Sequence, residues 1–337
     1  MLAFLNRYYS PRRTLEQWKW EYLDRDPCTF LFIGRKGGRV VATQGMLRED
    51  LVLDGANVIS GKSETSMLAE ELRGTGVFKD MYGHYLDLVR KDGMDLVWGI
   101  TTAVKVWRDK LGFQMLGDSI RGCALTIKPG RAIISEVRSN SSLKVRIYRG
   151  MKSLTSAPIG RRIAAYAADA PADYVDFQGE MLADELKRLY SDTEGSERVT
   201  LAMCDDLIGW RISRNPQIEY QLAVDTRTTD ESWCLWGIDR GRRACVSDIW
   251  CKDEAKIDAM IRWVLHRCIE EKVVSLRFIG NIQNPILRRT HQILVGLGAR
   301  TDDQGLGFFV KWLGERRELP EWEKWRVTGL WTEGYTY

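Results

Sequence analysis

Two stretches of the chain place apolar side chains at the same helical spacing. Each carries them at i, i+3, i+4, i+7, i+8 and i+11, which predicts an amphipathic helix with one buried stripe. The positions are Phe78, Met81, Tyr82, Tyr85, Leu86 and Val89 in the first stretch, and Ile257, Met260, Ile261, Val264, Leu265 and Cys268 in the second. An apolar run follows each predicted helix, Met94–Trp98 and Val274–Ile279, and we interpret both runs as buried strands.

Shorter apolar runs and turn residues surround the first of these helices. Leu15–Leu23 predicts an aromatic helix that stops before Pro27, since proline disfavours helix in the residue that precedes it. Glycines at 37–38 and at 55 predict turns between strands. The strands predicted in this half are Thr29–Ile33, Arg39–Thr43, Ala56–Ser60 and Gly61–Leu68.

The second half of the chain repeats this order. Trp210 precedes an Arg-Asn-Pro at 214–216, as Trp20 precedes an Arg-Asp-Pro at 25–27. A shorter helix then closes on Leu-Gly-Phe at 111–113 in the first half and on Leu-Gly-Ala at 297–299 in the second. The strands predicted in the second half are Ile218–Val224, Trp233–Ile238 and Ala244–Ile249. We interpret the match as a duplication, although α/β domains often share this order of elements.

The repeats predict a chain of two domains and a connector. The first domain is expected at residues 1–137 and the second, with a Trp-rich tail, at 199–337. Residues 138–198 belong to neither repeat, and they contain Ser-rich and Ala-rich pieces and one predicted helix, Phe177–Tyr190. The predicted fold class is therefore α/β (mixed α+β), with two domains that each contain a twisted mixed sheet flanked by helices.

Composition and charge narrow the function. With 50 basic and 46 acidic residues and no concentrated basic block, the chain does not fit a nucleic-acid binder, but its net charge of +4 suits a small polyanionic ligand. Its seven cysteines form no Cys-x-x-Cys pair and it has three histidines, so we expect no metal site. Scattered cysteines, a short apolar start and no long apolar run predict a cytoplasmic protein without a membrane span.

A glycine-containing loop lies between a predicted strand and the first long helix. The loop, Leu72–Phe78, has glycines at 74 and 76, which let backbone N–H groups converge at the positive end of the helix dipole. This arrangement suits a pyrophosphate, and the lysine of a triphosphatase loop is absent. The equivalent stretch of the second half, Trp250–Glu254, contains no glycine, so we expect its anion site to be lost.

These residues carry a resemblance to the GNAT superfamily of N-acyltransferases. Arg73, Gly76 and Phe78 resemble its pyrophosphate signature, [Gln/Arg]-x-x-Gly-x-[Gly/Ala], and the Leu-Gly-Phe at 111–113 resembles its second CoA-contacting segment. The resemblance covers roughly 29–117. The whole chain also resembles tandem GNAT proteins of bacterial surface-polysaccharide pathways, in part through its tail, Trp322–Tyr337. Phe78 departs from the signature, and Arg108 stands where the family usually has a tyrosine acid.

The resemblance implies two GNAT-like domains, an acyl-CoA co-substrate and an amine acceptor. The CoA-binding residues would be Met67, Leu68, Arg73, Gly74, Thr75, Gly76, Val77 and Phe78. A main-chain N–H at Met67 or Leu68 would bind the thioester carbonyl oxygen, and Glu64 would accept the amine proton. Arg108 would stabilise the thiolate or bind a CoA phosphate. Glu64 as a structural carboxylate and Arg108 as a solvated helix residue remain open alternatives.

The acceptor follows only from the pathway resemblance, which implies the amino group of a nucleotide-linked amino sugar. The aromatic side chains of the tail would either stack on a nucleobase or attach the tail to its domain; they are Trp322, Trp325, Trp331, Tyr335 and Tyr337. Trp98 and Trp107 would line the site or pack in the core. Two other functions stay open: a Fem-like aminoacyl transferase that takes its acyl group from tRNA, and a non-catalytic CoA-binding scaffold.

Overall fold

The computed structural model describes residues 1–8, 12–24, 29–128, 158–193, 199–227, 232–302, 305–315 and 317–332. The chain forms two compact units that are each assembled from separated stretches of sequence. Unit 1 comprises Met1–Ser119, Glu194–Pro216 and Gly305–Trp325, and unit 2 comprises Ile120–Thr193, Gln217–Gln304 and Arg326–Tyr337. The predicted helix stop at 25–27 and the predicted boundaries at 137 and 198 lie outside the described residues.

Unit 1 contains a mixed sheet with helices on its two faces. Its helices are α1 (Leu2–Leu5), α2 (Leu15–Tyr22) and α3 (Val77–Lys91), with a π-helical turn at Val106–Lys110. Its strands are β1 (Thr29–Lys36), β2 (Arg39–Arg48), β3 (Leu51–Leu53), β4 (Ala56–Val58), β5 (Ser60–Leu68), β6 (Leu96–Thr101) and the first residues of β7 (Gln114–Thr126). The main sheet runs β1, β2, β5 and β6, with β5 and β6 parallel and the other pairs antiparallel.

Unit 2 contains its own mixed series of strands, with helices. Its helices are α4 (158–168), α5 (Gly179–Thr193), α7 (Ala255–Glu270) and α8 (Pro285–Gly296). Two elements that lie between α5 and α7 in the sequence belong to unit 1 instead. They are strand β9 (Val199–Leu201), which pairs with β3, and the short helix α6 (Asp205–Ile208). The strands of unit 2 are the rest of β7, β8 (Tyr174–Phe177), β10 (Ile218–Asp225), β11 (Ser232–Asp239), β12 (Arg243–Cys251), β13 (Ser275–Asn281) and β14 (Arg300–Thr301).

The strands of the two units follow the same order. In unit 1 it is β1, β2, β5, β6 and then β15 (Leu306–Trp312), and in unit 2 it is β10, β11, β12, β13 and β7. In each series the first two pairs of neighbouring strands are antiparallel, the third pair is parallel and the fourth is antiparallel. The closing strand of each unit comes from the other half of the sequence. Each unit therefore draws on separated stretches of sequence, and the linear division into 1–137, 138–198 and 199–337 stays a prediction.

Matching irregularities support the predicted duplication. In its pairing with β2, β5 contains a bulge of one extra residue between Glu64 and Met67. In its pairing with β11, β12 contains a bulge of one extra residue between Val246 and Asp248. Both bulges follow directly after the parallel ladder of their unit. Within unit 1, moreover, the indoles of Trp20 and Trp210 stack at 5.0 Å and each donates to the other's carbonyl oxygen. The duplication itself stays a prediction.

The two amphipathic helices are confirmed. On α3 the five residues from Met81 to Val89 of the predicted stripe are buried, and on α7 the side chains of the stripe have no exposed surface. Tyr82 and Tyr85 of α3 pack in an aromatic cluster with Trp107, Phe113 and Phe309. Among the described residues no helix is long and apolar enough to cross a membrane.

Candidate active site

A wedge opens in the sheet of unit 1 beside the glycine loop. The parallel ladder between β5 and β6 joins Ser60–Lys62 to Leu96–Trp98, and β5 then continues to Leu68. The bulge at Thr65, whose φ is 47°, twists β5 at this point. Backbone groups of β5 beyond the ladder therefore face a space into which a ligand can enter.

The amide of Leu68 points into this wedge. Ala69 donates its N–H to Val41 of β2 at 2.8 Å, and backbone groups of an antiparallel strand alternate in direction. The N–H of Met67 is thus directed towards Thr43, its partner on β2, and that of Leu68 away from β2. Of the two amides named from the sequence, Leu68 is the one whose geometry suits an oxyanion donor.

Buried side chains fix the bulge. Gln44 has no exposed surface; its Nε2 donates to Ser63 at 3.0 Å, and its Oε1 accepts from Ser66 at 2.5 Å. The hydroxyl of Tyr82 donates to the same Ser63 oxygen at 2.8 Å. Burial raises the pKa of Tyr82, so its hydroxyl stays a neutral donor. This network anchors α3 to the strand on which the candidate amide lies.

The loop at Gly74–Gly76, called the nest below, has glycines in the left-handed conformation that anion-binding nests use. Gly74 and Gly76 have φ of 80° and 87°, a region open to glycine, and α3 begins directly after them at Val77. The first N–H groups of a helix have no partner within it, and Gly76 at the cap has no side chain to bond them. A Cβ at either glycine would meet no protein atom within 4 Å, so both backbones can be approached closely. The residues fit the pyrophosphate of a CoA ligand.

Arg73 links this loop to the wedge. Its Nε donates to the carbonyl oxygen of Leu68 at 3.3 Å, and its guanidinium lies 5.5 Å from the ring centre of Tyr8. Thr75 bonds back to the carbonyl oxygen of Leu72 at 2.7 Å, which closes the turn. The loop and the candidate oxyanion amide are therefore neighbours in one unit.

Phe78 does not occupy the nest, although it departs from the signature. Its ring turns towards the aromatic core, 5.8 Å from Tyr82 and 6.4 Å from Trp107 between ring centres. The ring of Phe78 therefore packs against the core and not against the backbone of Gly74–Gly76. A large side chain is compatible here because the core beneath α3 accepts it.

Glu64 lies on the opposite face of the sheet from α3. It is paired across the ladder with Gly45, where a Cβ would meet the ring of Tyr22 at 3.1 Å, so Glu64 faces helix α2. Its side chain is 18% exposed, and its Oε1 lies 2.6 Å from Nζ of Lys62. Glu64 is thus a partly accessible carboxylate at the start of the wedge.

Arg108 is an exposed side chain that bonds to its neighbour in the sequence. Its side chain is 55% exposed and its Nε donates to Asp109 at 2.7 Å. The hydrogen bond to Asp109 raises the pKa of Arg108, so the guanidinium stays charged. In the described ranges, no group of three or more His, Cys, Asp or Glu side chains is arranged to hold a metal ion.

The tryptophans named from the sequence are core residues in this structure. Trp98 and Trp107 are buried, and Trp98 stacks on Phe308 at 5.7 Å. Within unit 1, Trp322 and Trp325 are also buried, and Trp322 donates to Ser119 at 2.7 Å. In unit 2 Trp331 is 1% exposed. These side chains attach the tail rather than present a free stacking surface; Tyr335 and Tyr337 lie outside the described residues.

The corresponding wedge of unit 2 is filled by the chain itself. There the parallel ladder ends at Val246 and Phe278, and Thr328 then bridges to Gly280. Asn281 donates to the carbonyl oxygen of Val327 at 2.8 Å. Gly329 lies so close that a Cβ would be 3.2 Å from the carbonyl oxygen of Val246. The tail therefore takes the space between β12 and β13.

Comparisons with known proteins identify the fold. No protein-family model matches the chain, and no curated protein matches its sequence. It is similar to N-myristoyltransferase of Saccharomyces cerevisiae, solved with bound myristoyl-CoA and inhibitors, with a TM-score of 0.60, 10% identity, and 95% of this chain and 77% of that chain covered. It is also similar to a conserved protein of Enterococcus faecalis described as a probable N-acyltransferase, with a TM-score of 0.57, 10% identity, and 91% and 68% covered.

A third similar structure is a GCN5-related N-acetyltransferase from Kribbella flavida, with a TM-score of 0.50 and 12% identity. The match covers 83% of this chain and 59% of that chain. At these identities the likeness concerns the fold, and the predicted mixed α/β fold, a mixed sheet flanked by helices, is confirmed.

One residue of the site was missed in the sequence. Lys62 lies two positions before Glu64, so the alternation of a strand places both side chains on one face. The sequence does indicate it: a lysine within a strand predicted to be buried needs a partner of opposite charge, because buried lysines are almost always paired.

Proposed function

We propose that the chain is an acyl-CoA-dependent N-acyltransferase that binds its thioester in unit 1. The observation that carries the proposal is the proximity of the nest at Gly74–Gly76 and the outward amide of Leu68, joined by Arg73. A pyrophosphate site next to a backbone N–H that points away from its neighbouring strand suits a CoA thioester, whose phosphates and carbonyl oxygen need such donors. Similar structures that are described as N-acyltransferases, one of them with bound myristoyl-CoA, support the same class.

The reaction is direct attack of a neutral amine on the thioester carbonyl carbon. The C–N bond forms, the C–S bond breaks, and CoA leaves as a thiolate that is protonated to the thiol. The N–H of Leu68 stabilises the charge that develops on the carbonyl oxygen. Glu64 takes the amine proton. It lies four residues before Leu68, about 12–14 Å along a strand, so the proton passes through water rather than directly.

For the acceptor we propose the amino group of a nucleotide-linked amino sugar. Its support is the resemblance of the chain to tandem GNAT proteins of surface-polysaccharide pathways. A sugar amine next to electron-withdrawing oxygens is less basic than an alkylamine, whose reference pKa is about 10.4, so a single carboxylate reached through water suffices. The buried tail tryptophans do not serve as a base-stacking surface in this proposal.

The test is an acyl-transfer panel. Acetyl-CoA, a medium-chain acyl-CoA and myristoyl-CoA are each combined with a nucleotide-linked amino sugar, a free amino sugar, a peptide N-terminus and a lysine peptide. Products are followed by mass spectrometry, because Cys204 is exposed and would react with a thiol reagent. CoA affinity is measured separately by calorimetry.

Each arm of the panel separates one alternative. Transfer to an amine with release of CoA supports the proposal, and the acceptor that turns over decides the sugar. CoA binding without transfer to any amine would favour a scaffold. No CoA binding, with transfer from aminoacyl-tRNA, would favour the Fem-like reaction and refute the CoA proposal.

A further inference from the structure

Lys62 is a buried cation next to the candidate base. Its side chain is 3% exposed, and its Nζ lies 2.6 Å from Oε1 of Glu64. A buried ammonium is costly unless an opposite charge compensates it, so this pair is a specific feature of the strand. Glu64 keeps 18% of its side-chain surface, and it is the member of the pair that a ligand can reach.

The surrounding side chains hold Lys62 in place. It is paired with Leu47 on β2 and with Trp98 on β6, both of which are buried. Trp98 in turn donates its indole N–H to the carbonyl oxygen of Glu49 at 3.3 Å. Packed strands thus flank Lys62 on both sides, and its ammonium lies next to the carboxylate that it bonds.

We propose that Lys62 is a positioning residue for acyl transfer, whose ammonium orients the carboxylate of Glu64 towards the wedge and keeps it ionised. The inference rests on the proposed function, in which Glu64 receives the amine proton. It assigns the two charges different tasks: Glu64 exchanges protons through water, and Lys62 remains charged beneath it. Burial alone favours the neutral form of a carboxyl group, and the adjacent cation offsets this, so that a carboxylate is present to receive the proton.

Other charged and titratable groups share this face of the sheet. Tyr22 donates its hydroxyl to Thr65, next to Glu64, at 3.1 Å. Arg13 bonds both Tyr22, at 3.2 Å, and Glu21. Further along, Arg211 lies 3.8 Å from Glu49, and both are buried.

The experiment measures the pH dependence of acyl transfer in Lys62→Met, Lys62→Arg and wild-type protein. Loss of the cation is expected to move the acid limb of kcat/KM upward by about 1–3 pH units, because an opposite charge at this distance shifts a carboxyl by that amount. Lys62→Arg should restore most of the limb. The control is Arg48→Met, which removes a cation from the neighbouring strand that bonds Asp50 at 3.1 Å; its profile should not move.

A second measurement separates positioning from a merely structural role. In a Glu64→Gln background, Lys62→Met should cost no further activity, since the carboxylate that it serves is absent. An unshifted acid limb in a folded, CoA-binding Lys62→Met protein, or full additivity of the two changes, would overturn the inference alone. Failure of the wild-type protein to acylate any amine would instead refute the proposed function, and the positioning role with it.

Discussion

A single methyl group at Gly76 tests whether the loop before α3 binds CoA. Gly76 has φ of 87°, and so does Gly93, at the other end of the same helix. At both positions an added Cβ would meet no protein atom within 4 Å. Alanine therefore introduces the same backbone strain at each, about 1–2 kcal/mol, without a clash. The two variants differ in what lies outside the protein.

At Gly76 the open space is the nest itself, where the phosphates would approach the backbone. A methyl there displaces the anion from at least one N–H, and a hydrogen bond to a charged group is worth about 1.5–3 kcal/mol. Since about 1.4 kcal/mol corresponds to a factor of ten, the Kd for CoA should rise about 10- to 150-fold in Gly76→Ala. In Gly93→Ala it should change by less than about twofold.

Calorimetric titration with CoA measures the affinities, and urea unfolding measures the strain. Both variants should lose similar stability, which makes Gly93→Ala a control for folding as well as for strain. Unchanged affinity in Gly76→Ala would place the CoA phosphates elsewhere. Equal weakening in both variants would mean that strain, rather than the nest, determines binding.

Three further changes test the rest of the site and the tail. Leu68→Pro removes the outward N–H, whereas Leu68→Ala also removes the leucine side chain but retains that N–H. Steady-state kcat should be about 10²–10³ lower in the proline variant than in the alanine variant, with similar CoA affinity. Equal rates would exclude this amide as the oxyanion donor. Arg108→Gln should leave kcat within about threefold, because the side chain is exposed and bonded to a neighbouring carboxylate; a tenfold loss would give Arg108 a catalytic task. Arg326→Met should cost about 3–5 kcal/mol in urea unfolding at pH 7.5, because Asp248, 3.7 Å away and buried, loses its cation. Burial raises the pKa of Asp248, so its contribution to stability falls as pH rises above about 3.9, and the deficit should be smaller at pH 4.5; an equal deficit at both would contradict the pairing.

The elements with a strong local pattern were predictable from the sequence. The stripe of α3 fixes which face of the helix is buried, and the glycines at 37 and 38, both with positive φ, fix the hairpin between β1 and β2. The loop at 74–76 was equally predictable, because glycine is the residue that adopts a left-handed conformation without strain. Local periodicity and turn chemistry therefore account for most of unit 1.

Non-local pairing was not predictable in this way. β15 closes the sheet of unit 1 by pairing Gly307–Trp312 with β6, about two hundred residues earlier, and nothing in a single apolar strand specifies such a distant partner. The bulge at Thr65 was likewise unseen, since it depends on register against β2. It is this bulge that selects Leu68 over Met67 as the outward amide. The sequence therefore indicated the strand that carries the oxyanion donor, but not which of its two candidate amides points outward.

The two units also differ in how their wedges are used, and this difference bears on stoichiometry. In unit 2 the stretch before α7 has no glycine, and the wedge between β12 and β13 is taken by Val327–Gly329. Either feature alone would hinder the binding of a CoA thioester. Without glycine the backbone cannot approach a phosphate closely, and with the wedge filled there is no space for the thioester carbonyl. Unit 1 retains both the nest and the open strand edge. We therefore expect one CoA bound per chain, and a calorimetric stoichiometry of two would show that the tail of unit 2 gives way to a ligand.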